Sequence, residues 1–186
     1  IIGVLLFIAP RLPSESAAGT ETKVSVQDLW KEKLASLPEG DRGRIGNFAE
    51  KGETDSLRNY FMGVRDAFGF GIARSYMAEK SGKSEDWMNA GQDLYRAAMI
   101  QAPEHRGEIF TLAIAAFDKV LERSPKDKEA RLKKGICLVE QRQDPMKGVG
   151  LLKALTEEDS TYIDAHLQLG FFSLQSSQWD KAESRF

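Results

Sequence analysis

Two stretches decide the fold: ARLKKGICLVEQRQDPMKGVGLL, residues 130–152, and AHLQLGFFSLQSSQWDKAESRF, residues 165–186. Each begins with Ala, places Leu two positions later and Gly five positions later, so Gly135 and Gly170 stand 35 residues apart. Self-similarity at such a period marks stacked supersecondary units. An earlier stretch, AIAAFDKVLERSPKD, has Ala113 or Ala116 turned inward, then Phe117, Val120 and a closing Pro125. One helical hairpin cannot bury both of its faces. Hairpins of this kind therefore stack and share a continuous core.

Working outward, the chain reads as helix after helix. Ser25-x-x-Asp28 has the form of a capping box. It opens a short helix with Val26, Leu29, Trp30 and Leu34, which ends before Pro38. A weaker helix over 44–51 closes on Gly52. Leu57, Phe61, Val64, Phe68, Ile72 and Tyr76 then form a stripe at helical spacing, which predicts a helix ended by Gly82. Gly63, Gly69 and Gly71 inside it indicate a bend or a close helix–helix approach. The FGFG they belong to is no phosphate loop, because no strand precedes it and no third Gly follows. Further helices are expected over 84–101, 106–123, 127–142, 145–157, 161–176 and 178–186. Short loops between them force antiparallel neighbours.

The two quoted stretches resemble the tetratricopeptide repeat family, whose units are about 34 residues of paired antiparallel helices. Gly135 and Gly170 match the small residue that lets the first helix approach its partner. Ala182 and Ala154 match small residues of the second helix. Leu151, Phe186 and, in the earlier unit, Phe117 match its large residue, and Pro125 matches the closing proline. Lys147 or Gly148 stands where an Ala is expected, Asp159 stands in place of a Pro, and one extra residue separates the units. Upstream, Trp87, Gly91, Tyr95 and Ala98, followed by Pro103, carry the pattern of a hairpin's second helix. The resemblance implies an all-α fold of antiparallel hairpins stacked as a right-handed solenoid. The divisions expected are 57–125 for irregular repeat-like helices and 126–186 for repeats, the last incomplete; 25–56 is a helical segment without a repeat match.

The resemblance also implies a ligand groove lined by the first helix of each unit. In the first quoted unit the matching positions are Glu129, Leu132, Lys133 and Ile136, with Val139 and Glu140 beyond them. In the second they are Asp164, Leu167, Gln168, Phe171 and Leu174, with Gln175. Members that clamp a peptide's terminal carboxylate use Lys, Asn and Arg at such places, whereas this chain puts Leu, Ile and Phe there. The expected occupant is an amphipathic helix or an apolar peptide of another protein, or else a downstream helix of the same chain.

IIGVLLFIAP, at the N-terminus, stands apart. Ten apolar residues are too few to cross a hydrocarbon core, which needs about 20. Residues 1–13 fit the end of a longer hydrophobic anchor helix, with 14–24 a polar linker; a signal-peptide core or an apolar arm buried in a partner are the alternatives. The anchor reading implies a single pass through a bacterial inner membrane, contact with the lipid bilayer, and a repeat domain on the periplasmic side. With 26 basic and 28 acidic residues interspersed, no basic block marks a nucleic-acid partner. The single Cys137 excludes an internal disulfide and a thiolate metal cluster. His105 and His166 lie 61 positions apart, and no zinc, redox or phosphate-loop motif is present, so no catalytic residue, metal or cofactor is expected. Glu157-Glu158-Asp159 reads as a solvated acidic turn and Trp30, Trp87 and Trp179 as packing residues. The function expected is a non-catalytic scaffold or adaptor for a membrane-associated complex. A permanent structural subunit of such a complex, or a repeat domain of a larger enzyme, are the rivals.

Overall fold

Caps set the helix boundaries. The computed structural model describes residues 25–101 and 103–186, the side chains of 103 and 104 excepted, and every regular element among them is an α-helix. The expected anchor at 1–13 and linker at 14–24 lie outside the described residues. Helix α1 (Val26–Ser36) opens on Ser25, whose Oγ accepts the Asp28 N–H at 3.1 Å, the capping box read above. Helix α2 (Glu39–Lys51) closes on Gly52 at φ 74°, a conformation that glycine alone adopts without penalty.

The stripe from Leu57 to Tyr76 is not one helix. It divides into α3 (Thr54–Gly63) and α4 (Ala67–Ser81), with Arg65 at φ 58° in the turn. Asp66 caps α4 by accepting the Gly69 N–H at 2.7 Å, and the same carboxylate takes Lys33 Nζ at 2.9 Å. Both helices face one core, built on Trp30, Ile45, Leu57, Phe61, Phe70 and Ile72, while Val64, the member of the stripe at the break, is 53% exposed. Gly69 marks the close approach. A Cβ there would lie 2.6 Å from the Phe61 ring.

Six helices follow: α5 (Ser84–Ile100), α6 (Pro103–Arg123), α7 (Lys128–Gln141), α8 (Pro145–Glu158), α9 (Ile163–Gln175) and the short α10 (Trp179–Glu183). Asp127 and Asp144 cap α7 and α8, and Pro145 occupies the first turn of α8, where its missing N–H costs nothing. Each helix packs on the next in sequence. Within α5 to α10 three pairs share one device, a glycine under a large side chain. A Cβ on Gly91 would lie 2.7 Å from the Phe117 ring, one on Gly135 3.1 Å from Leu152, and one on Gly170 2.7 Å from the Phe186 ring. Helix α5 thus stands to α6 as α7 stands to α8. Gly71 on α4 lies under Leu94 of α5 in the same way, its would-be Cβ 2.7 Å away, so α5 also keeps its expected place as the second helix of a hairpin.

Helix α8 also shifts by one residue from expectation. Gly148, Leu152 and Leu155 are its buried positions, and Leu152, not Leu151, lies over Gly135, while Ala154 is half-buried. The cause is the turn length. Gly135 to Leu152 spans 17 residues and Gly170 to Phe186 spans 16, so α8 enters one residue later in phase.

Helix α7 buries two sides. Ala130 packs with Trp87, Ala90, Ala116 and Val120, and Cys137 with Leu94, Phe110 and Phe117, all on the preceding helices. Leu132 and Ile136 pack the other way, with Leu152, Leu155, Ala165, Leu169 and Phe172. The acidic turn after α8 is ion-paired. Arg131 grips Glu158 at 2.5 and 2.7 Å, and Lys128 meets Asp159 at 2.6 Å, holding that carboxyl down to about 2.

Candidate functional site

Helix α7 abuts both α5 and α9 directly, in addition to the contacts of these helices with α6, α8 and α10. The expected groove residues lie on α7 and α9. Glu129 is exposed and accepts the Gln92 Nε2–H at 3.0 Å, which ties α7 to α5. Lys133, Leu167 and Gln168 are half-buried and Asp164 is exposed. Phe171 and Leu174 are 48% and 37% exposed, and Phe171 meets Phe186 edge-on at 5.8 Å between ring centres. Two expectations need correction. Leu132 and Ile136 are only 4% and 6% exposed, so they are interior packing residues and present no surface to a ligand. The cover comes from α9, whose Ala165 and Leu169 close over them. Of the expected apolar lining, Phe171 and Leu174 are left as the exposed part, with Leu167 half-buried beside them in sequence.

A cleft that the sequence did not reveal opens further up the chain. It measures about 260 Å³ and lies between α3 and α5, floored by α4. Arg58 and Met62 form one wall, Asp93, Arg96 and Ile100 the other, and Phe70 the floor. Asp93 is the centre of its charges. Its side chain is 12% exposed and takes Arg96 at 2.8 Å and Arg74 Nε at 3.4 Å. Arg74 reaches past it to donate to Thr54 Oγ1 at 3.0 Å. Burial pushes the Asp93 carboxyl above its ordinary value, against the pull of Arg74, Arg96 and Arg58. A second, apolar cleft of about 80 Å³ lies where α1 meets α4 and α6, between Leu29, Ile72, Trp87 and Leu112.

Among the described residues the two histidines and the cysteine stand apart. His105 is exposed on α6, and His166 is half-buried on α9 with its Nε2 unpartnered among the described residues. No three His, Cys, Asp or Glu side chains among the described residues gather closely enough to hold a metal ion. Cys137 is fully buried, and burial pushes its thiol up to about 12. Since the thiolate is the nucleophile, native protein at pH 8 should resist a disulfide reagent for hours, then react completely on unfolding in urea. Fast reaction in the native state would show that α7 is not held against α5 and α6.

No helix among the described residues is long and apolar enough to cross a membrane. Comparison with protein-family models, curated proteins and solved structures finds no match to this chain.

Proposed function

We propose that the chain is a non-catalytic scaffold of tetratricopeptide-repeat type, which docks other proteins along the row formed by α5, α7 and α9. The observation that carries this reading is the position of α7. It gives one side to the preceding hairpin and the other to the following one, as in a solenoid whose units share their core. Glycine under a bulky residue recurs in three successive hairpins, in keeping with one unit repeated. Such stacking supports an extended surface, and on it Phe171 and Leu174 are the exposed apolar anchors. The apolar N-terminus supports attachment to a membrane, with the partner an amphipathic helix or an apolar peptide in a membrane-associated complex.

The rival reading is permanent membership of a larger assembly. Ile163, Trp179 and Phe186, each more than 60% exposed, join Phe171 on the last hairpin. A stable partner would bury a large, mostly apolar area there, as would a following helix of the same chain. The test is affinity purification of the intact protein carrying Phe171→Glu with Leu174→Glu. Recovery of specific partners should fall by about ten-fold or more, since burying an unpaired charge in an apolar interface costs several kcal/mol. Helix content by circular dichroism should stay the same. Undiminished recovery overturns docking on this row; a stoichiometric, salt-resistant complex in the unmutated protein supports the permanent subunit over the cycling adaptor.

A further inference from the structure

We propose that the cleft between α3 and α5 is a separate docking site for an acidic peptide segment, one that sets an internal Asp or Glu side chain beside a large aliphatic one. The charge in the cleft is unbalanced. Three guanidiniums, of Arg58, Arg74 and Arg96, stand against two carboxylates, Asp93 inside the cleft and the exposed Asp55 beside Arg58. Arg74 is held inside, 12% exposed, by Asp93 and Thr54. Arg96 spends one donor on Asp93 and is 68% exposed. Arg58 is the least committed. Its guanidinium lies 5.6 Å from the centre of the Phe70 ring, and its ion partner is Asp55, 3.5 Å away and 91% exposed. It makes no hydrogen bond among the described residues. A guanidinium carries five N–H donors in a planar fork that matches a carboxylate. Arg58 and Arg96, on opposite walls, therefore present an anion with two forks whose donors are mostly unused.

The rest of the cleft is apolar. Met62 and Ile100 are 45% and 71% exposed on its two rims, above the buried Phe70. A bare phosphate would satisfy the arginines and leave these side chains wet. A fatty acid would satisfy the carboxylate fork, but the cleft is open along its rims and would leave most of a hydrocarbon tail in water. A peptide meets both halves at once. Its acidic side chain lies between the arginines, its aliphatic side chain sits between the exposed Met62 and Ile100, and its backbone remains solvated. Positioning by Asp93 is part of the design, since it fixes Arg96 and Arg74 while leaving the net charge positive.

The experiment uses an array of end-blocked peptides in which Asp or Glu stands zero to four residues from Leu, Ile, Met or Phe, probed with the intact protein. Selected peptides are then labelled and titrated by fluorescence anisotropy. Acidic–aliphatic peptides should bind saturably. Changing their acid to the amide, or their aliphatic residue to Ser, should each weaken binding by about ten-fold, as should Arg58→Ala and Arg96→Ala in the protein. Arg58→Lys should recover only part of the loss, because an ammonium lacks the fork. Helix content and unfolding temperature of Arg58→Ala should match the parent, since this side chain is exposed. Phe171→Glu should not affect binding, which separates this site from docking on α5, α7 and α9. The proposal is overturned if no peptide of the array binds, if binding ignores the acid or Arg58, or if octanoate or inorganic phosphate competes as well as the peptide does.

Discussion

Gly148→Val should destabilise the protein by about 3 kcal/mol or more, the range reached when a well-packed contact is overfilled. Gly148 is where α8 crosses α7. A Cβ there would lie 2.5 Å from the Gly135 carbonyl oxygen, 2.7 Å from Val139 Cγ2 and 2.9 Å from the Val139 backbone nitrogen. Two of these three atoms are backbone, so no rotamer change relieves the clash and α8 must move away from α7. That movement would lift Leu152 and Leu155 from the core they share with Leu132 and Leu169. For a chain of this size, roughly 2–4 °C of melting temperature is lost per kcal/mol. The control lies two residues away. Gly150 has no heavy atom within 4 Å of its would-be Cβ, so Gly150→Ala should stabilise, by up to about 1 kcal/mol of helix propensity. Thermal unfolding followed by circular dichroism reads both variants. Equal behaviour of the two glycines would refute the crossing.

Phe117→Ala should cost about 3–5 kcal/mol, the loss of a buried ring together with the cavity it leaves. Phe117 is 0% exposed and packs with Leu94, Ala97, Ala113 and Cys137, so its ring joins α6 to α5 and α7 at once. Its partner Gly91 supplies a sharper test through a sign change. In the parent, Gly91→Ala places a methyl 2.7 Å from the Phe117 ring and should destabilise. In the Phe117→Ala background the same methyl enters the vacated space and gains helix propensity, so it should stabilise. Urea unfolding of the four proteins gives the coupling directly. Additive effects would mean that Gly91 and Phe117 do not meet, and that α5 and α6 are not a hairpin of the same kind as α7 and α8.

These contacts show how far the sequence could be read. Gly135 and Gly170 pointed to the hairpins, and Gly52, Gly82 and Ser25 mark helix ends, because caps and close approaches depend on residues a few positions apart. The break between α3 and α4 was hidden, since both helices turn their apolar faces to one core and the period of four continues through the turn. The part that α5 plays as a first helix, beside its expected place as a second, was hidden as well. Its Gly91 meets Phe117 across 26 residues, where the later pairs need 17 and 16, so longer helices disguise the same contact.

By itself the sequence determined an all-helical chain, its caps, and the glycines on which hairpins close, because these follow from backbone geometry and local spacing. Tertiary structure alone decided which faces stay open. Leu132 and Ile136 have the periodicity of groove residues, yet α9 covers them, and periodicity carries no information on what packs over a face. The cleft belongs to the same category. Arg58, Arg74, Asp93 and Arg96 come from three helices, and their charges act on one another only because α4 brings α3 and α5 to either side of Phe70.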